Sequence, residues 1–147
     1  MSLSGNRRHF VGKARVGRLA TTDRDGHPHV VPVCFALVQD RLVTPIDAKP
    51  KRVEASRLKR VQNVEATHRA ALLVDHYEED WSALGWVRID GPARIARPED
   101  DGHDDDVGAL RAKYQQYETH PLSRRPVIRV IVDRVAVWGS LSSPPMA

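Results

Sequence analysis

A chain of 147 residues, 41% hydrophobic and 29% charged, has the size and make-up of one globular domain with a modest core, spanning residues 1–147. Its net charge of +4 suits a polyanionic partner, but aromatic residues are only 5% and do not interleave with cations as a base-stacking surface requires, so nucleic acid is not expected. The longest uncharged apolar run, near residues 30–38, falls far short of the roughly 20 residues of a membrane-crossing helix. Residues 1–8 lack the apolar stretch of a signal peptide, and the single Cys34 cannot form an internal disulfide, so a cytoplasmic protein without membrane contact is expected.

Residues 14–22 and 27–38 read as two extended runs joined by Thr22-Asp23-Arg24-Asp25-Gly26, whose Asp-Gly pair is a strong hairpin signal. His27 and His29 would share a strand face, but no third ligand is placed near them, so no metal site is expected there. Cys34, within an apolar strand, reads as a small buried hydrophobe. A short turn at Gln39-Asp40 leads into a strand ending at Ile46.

The most informative stretch follows. Asp47-Ala48-Lys49-Pro50 supplies turn chemistry and a proline suited to an early helical position, and helix formers run from Val53 to about Asn63. A helix start presents unpaired N–H groups and partial positive charge, so Lys49, Lys51 and Arg52 would complete a phosphate cradle. The plainer alternative is a solvated cationic helix face that also takes in Arg57, Lys59 and Arg60.

Residues 69–77 read as a buried strand, and residues 85–96 as a long one interrupted by Asp90-Gly91-Pro92, where a bulge or bend is expected. Asp75, Glu78, Glu79 and Asp80 around Trp81 are read as a solvated loop or an acid–base group. After an acidic loop, Val107, Leu110, Tyr114 and Tyr117 recur at helical spacing, with residues 104–106 as capping acids rather than metal ligands. Residues 127–138, apolar on both parities, read as one strand region inside the assembly. There is no Rossmann or Walker glycine pattern and no nucleophile elbow at Ser140. The expected fold is mainly β: a six-stranded antiparallel split barrel with two or three flanking helices, its core at about residues 10–139 and its termini flexible, including the Ser142-Ser143-Pro144-Pro145 tail.

Taken in order, Leu19-Ala20-Thr21-Thr22, the run from Asp25 through Val30-Val31-Pro32-Val33, Asp47-Ala48-Lys49-Pro50-Lys51-Arg52, Leu72-Leu73-Val74-Asp75 and Trp86-Val87-Arg88-Ile89-Asp90-Gly91 resemble the pyridoxamine 5′-phosphate oxidase-like family of split-barrel flavin and deazaflavin proteins. The resemblance covers roughly residues 10–139. The run from Asp75-His76-Tyr77 to Trp81, the Lys113-Tyr114 pair and Val137-Trp138 are similar to its coenzyme F420-dependent branch.

The resemblance implies a homodimer whose two barrels clasp two cofactors at the interface. Lys49, Lys51 and Arg52 would match the phosphate-binding cations, and Val31, Pro32 and Val33 the strand whose backbone lies along the tricyclic ring. Asp47 falls in the loop that approaches the phosphate or ribityl chain, where a carboxylate suits a hydroxyl. Trp86 and Arg88 of the partner subunit would close over the ring, with Trp138 as the C-terminal aromatic. Two departures stand out. Val31 replaces an arginine and Ala36 a lysine of the true pyridoxamine-phosphate oxidases, so that activity is not expected; Gly85 replaces a second tryptophan of the F420 branch, which would enlarge the pocket or alter cofactor choice. The implied function is an F420-dependent oxidoreductase moving hydride between the reduced deazaflavin and a small unsaturated or carbonyl substrate. The alternatives are an FMN-binding oxidoreductase of the same fold and a non-enzymatic flavin or deazaflavin carrier. The longer, more anionic F420 tail suits the basic stretch 49–60 better. No catalytic residue is assigned, although His76 and Tyr77 are candidates to donate a proton.

Overall fold

The computed structural model describes residues 3–46 and 58–142. Helix α1 spans Gly5–Lys13, α2 Lys59–Thr67 and α3 His103–Lys113. The strands are β1 Gly17–Thr22, β2 Pro28–Val33, β3 Ala36–Val38, β4 Arg41–Pro45, β5 Arg69–His76, β6 Gly85–Ala96, β7 Val127–Ile131 and β8 Arg134–Gly139. Residues 47–57, with Asp47, Lys49, Lys51, Arg52 and the expected helix start, lie outside the described residues, as do residues 143–147 of the tail.

The strand order is β2-β1-β5-β6-β7-β4-β3, with β8 pairing to β6, and every pairing is antiparallel. Strands β2 and β3 stand at opposite ends of this order, yet only Cys34 and Phe35 separate them in the chain. A flat sheet would put those edges about 29 Å apart, whereas three residue steps reach about 11 Å. The sheet therefore curls until its ends meet, and the seam between β2 and β3 is the split of the barrel.

Local chemistry sets the corners. The β1–β2 turn is built by Asp23, whose Oδ1 accepts from the N–H groups of Asp25 and His27 at 2.9 Å each, with Gly26 at φ +83. Strand β6 serves both halves of the barrel. Residues up to Asp90 pair with β8, and from Ala93 onward the partner is β7. The change of partner falls at Gly91, where a Cβ would overlap the Ile131 carbonyl oxygen. The expected break at Asp90-Gly91-Pro92 is thus a continuous strand that exchanges one neighbour for another.

The barrel interior holds Leu19, Leu42, Leu72, Val87, Ile89, Ile128 and Val130, plugged by Phe10 and Val11 of α1 and by Val61 and Val64 of α2. A second cluster joins Val107 and Leu110 of α3 to Ala36, Val43 and Val127. Asp106, wholly buried, pins α3 to the barrel: its Oδ2 accepts from Arg129 Nε at 2.6 Å and its Oδ1 from Arg41 Nε at 2.9 Å. Arg129 also donates to the Asp101 carbonyl at 2.7 Å.

Among the described residues, the split barrel and three flanking helices match the expected architecture, with eight strands in place of six. Residues 27–38 form two strands because the chain crosses the seam at Cys34-Phe35. Residues 127–138 form two because Val132-Asp133 leads from one half of the barrel to the other, leaving β7 buried and β8 partly open. Helix α3 ends at Lys113, so Tyr114 lies at its C-cap and Tyr117 on the 3-10 turn Gln115–Thr119. Helix α1 was not expected; with Leu3 and Phe10 buried, the core begins before residue 10.

Candidate cofactor site

A cavity of about 220 Å³ opens at the barrel seam. Pro32 and Val33 from the end of β2, Cys34 at the crossing, Thr44 and Pro45 from the end of β4, and Arg60 from the start of α2 line it. Tyr117, presented by the 3-10 turn, and Val16 complete the wall. Thr44 is only 1% exposed, and its Oγ1 has no hydrogen-bond partner among the described residues, so a buried hydroxyl is left for an occupant to satisfy. The flanks of segment 47–57, Pro45 on one side and Arg60 on the other, both line this cavity. In the sequence, segment 47–57 with its cations joins these two flanks.

The described residues singled out by sequence divide by strand parity. Val31 and Val33 turn inward, Val31 packed against the core and Val33 8% exposed, although Val33 also forms part of the cavity wall. Pro32 belongs to the outer face. In register it lies beside Arg18, then Leu73, then Arg88, then Ala136, a row running across five strands. Trp86 lies between Asp75 and Trp138 in the adjacent row of the same face, and the Arg88 guanidinium sits 5.6 Å from the Trp86 ring centroid. Pro32 therefore shares a sheet face with Trp86, Arg88 and Trp138, but three strand spacings, about 14 Å, separate β2 from β6. Trp86, Arg88 and Trp138 do not line the cavity in their own chain.

That outer face carries exposed apolar side chains among charged ones, which include the Arg18–Asp75 ion pair at 3.1 Å. Trp138 is 53% exposed and Val30 60%, with the side chains of Leu73 and Ala136 between them. Beyond it, Tyr77 and Trp81 project from the β5–β6 connection, where Trp81 Nε1 donates to the Tyr77 hydroxyl at 3.4 Å. His76 is buried at the end of β5, with Nε2 2.7 Å from Glu78 Oε1. Neither His76 nor Tyr77 lines the seam cavity.

Gly85 has a steric cause within this chain. It pairs with Gly139, and a Cβ on Gly85 would overlap the Ser140 carbonyl oxygen. Installing the branch's aromatic by Gly85→Trp is expected to force β8 from β6 and destabilise the fold by about 1–3 kcal/mol, seen as a lowered thermal midpoint. A variant as stable as the parent would show that this edge can give.

The other sequence candidates have structural employment. Asp23, Asp25 and His27 bring ligand-type atoms within 4.8 Å of one another. The Asp23 carboxyl, however, is already spent on its own turn and is held below the usual carboxylate range, first by the His27 backbone N–H. In the first turn of α3, Asp106 is taken by two arginines. What sequence reading missed in the cavity is Thr44, Pro45 and Tyr117, which only the meeting of β2 with β4 and the turn after α3 brings together.

The sequence pattern of the pyridoxamine 5′-phosphate oxidase family matches residues 3–139. The chain belongs to that family. Among curated proteins none matches it. Solved structures share the fold of this pyridoxamine 5′-phosphate oxidase family member at low identity. A conserved hypothetical protein of Mycobacterium tuberculosis is 20% identical with a TM-score of 0.71, over 95% of this chain and 88% of that one. A heme binding protein of Mycobacterium smegmatis is 21% identical with a TM-score of 0.74, over 97% of this chain but 56% of its own length. A FAD-binding protein of Mesorhizobium loti is 22% identical with a TM-score of 0.57, over 88% and 87%. No helix among the described residues is long and apolar enough to cross a membrane.

Proposed function

We propose that this chain is a homodimeric oxidoreductase that holds coenzyme F420 at the barrel seam and presents its ring to a small unsaturated or carbonyl substrate. The single observation that carries the reading is the seam cavity itself. It is bounded by the Pro32-Val33 end of β2, lined by Arg60 and by the Thr44 hydroxyl, which has no hydrogen-bond partner among the described residues, and flanked in sequence by the stretch containing Lys49, Lys51 and Arg52. These residues fit a ligand with a hydroxylated, anionic tail: the hydroxyl and Asp47 suit ribityl oxygens, and the cations suit phosphate.

At about 220 Å³ the cavity is smaller than the roughly 300–1,000 Å³ of a complete cofactor site. A second copy supplies the remainder in this reading. The exposed Trp138 with Trp86 and Arg88 forms an aromatic and cationic wall that does not line the cavity of its own chain, and aromatic and arginine side chains are what a dimer interface tends to bury. That wall would exclude water from the ring, and backbone N–H groups of β2 would stabilise negative charge on it. The cofactor supplies the hydride chemistry, and the protein supplies position and dryness.

FMN is the second ligand reading, and a carrier without turnover is the second functional one; the latter gains support from the heme binding protein that shares the fold. Turnover separates enzyme from carrier. Protein loaded with reduced F420 and mixed with enone and carbonyl acceptors is expected to oxidise the cofactor faster than free solution does, with acceptor reduced in equal amount. Saturable binding with no acceptor-dependent oxidation would make it a carrier.

A further inference from the structure

On the far side of the seam from the cofactor cavity, a second hollow of about 460 Å³ lies between α1 and the end of α3, over β3. Arg8 and Gly12 of α1, Leu37 of β3, and Ala109, Ala112 and Lys113 of α3 line it. No carboxylate contributes to the lining. The Lys113 amine is closed off from water and has no hydrogen-bond partner among the described residues. It rests 3.8 Å from the centroid of the Phe35 ring and 5.3 Å from that of Tyr114, while Arg15 sits 4.7 Å over the Tyr114 ring.

Two aromatic rings thus carry two cations with no anion among the groups that face Lys113. The ring faces answer part of the charge, but an ammonium has three N–H donors and a π face cannot satisfy them all. Tyr114 offers at most one acceptor site: its hydroxyl already accepts from the Phe35 N–H at 3.1 Å and donates to the Arg15 carbonyl at 2.9 Å. Burial pushes that phenol up to about 12, so it stays neutral. Burial first, then the charge of Arg15, lowers the Lys113 amine to about 8, partly opposed by Cys34. A buried donor without an acceptor is costly, and a four-carbon stem lets the amine swing toward the hollow that the same side chain lines.

We propose that this open hollow is a binding site for small monocarboxylates with a short apolar chain, in which Lys113 is the counter-ion of the carboxylate and the chain lies against Gly12, Leu37, Ala109 and Ala112. Arg8, which donates to the Gln39 carbonyl at 2.9 Å, holds the rim positive. The site shares no lining residue with the seam cavity and stands independently of the cofactor reading.

The test is a calorimetric titration of the whole protein with octanoate, with octanol as the uncharged control. Saturable octanoate binding is expected, with octanol at least about tenfold weaker. Lys113→Met should weaken octanoate about tenfold or more while Lys113→Arg retains it. In the parent protein the affinity should fall by a similar factor between about pH 7 and about pH 9.5, as the ammonium loses its proton. Gly12→Leu fills the hollow without touching the amine, since a Cβ there meets only Leu37 Cδ1 at 3.9 Å, and should abolish binding with Lys113 intact. That arm keeps the proposal testable if Lys113→Met fails to fold. Octanol binding as tightly as octanoate, undiminished binding to Lys113→Met or Gly12→Leu, or no saturable binding to the parent protein would each overturn it.

Discussion

Asp106→Ala is expected to destabilise the protein by about 3–5 kcal/mol, enough to leave much of the chain unfolded at physiological temperature. The cost is not the loss of one side chain's contacts. Asp106 is 0% exposed and is the shared acceptor for Arg129, itself 6% exposed, and for Arg41. Removing it strands two guanidinium groups in a place with little water, one of them on a barrel strand and the other on its neighbour. Asp106→Asn should be milder, because an amide oxygen still accepts one of the two hydrogen bonds. Denaturant melts of the two variants decide the matter. If Asp106→Ala lost less than about 1 kcal/mol, the network would be no more than a surface ion pair.

The second large effect is on the ligand. Lys51→Ala combined with Arg52→Ala is expected to weaken cofactor binding by at least about a hundredfold, because each charge-assisted bond to phosphate contributes about 1.5–3 kcal/mol. The thermal midpoint of the double variant, measured alongside, separates lost binding from lost folding. Unaltered affinity in the double variant would return these cations to the plainer reading of a solvated helix face.

How much of this was legible in the sequence depends on the range of the interactions. The β1–β2 hairpin was, because Asp23 and Gly26 build its turn within five residues. The helix α3 was, through the spacing of Val107 and Leu110 and its acidic first turn. Helix α1 was not: its sequence, Gly-Asn-Arg-Arg-His-Phe-Val-Gly-Lys, has only Phe10 and Val11 facing the core, and it is held by tertiary contact rather than by its own pattern. The splitting of residues 27–38 was also hidden, since an apolar run reads as one strand until the barrel has to close on itself. The steric need for Gly85 was hidden for a related reason. Nothing near it in the chain reveals that the Ser140 carbonyl presses against it from β8's far end.

The cofactor residues show the same divide. Pro32 and Val33 could be placed at the cavity by family resemblance, whereas Thr44 and Tyr117 reach it only through the topology. Trp86, Arg88 and Trp138 were expected together, and the register does bring them onto one outer face. Their separation from the cavity within one chain is why the proposed site requires two.

The most direct measurement is equilibrium binding of F420 and FMN, side by side, to the unmodified protein at physiological salt. The account predicts saturable binding of one F420 per chain, tighter than FMN, by protein that sediments as a dimer. Binding of neither cofactor would contradict it, leaving the seam cavity and the aromatic face without the ligand that unites them.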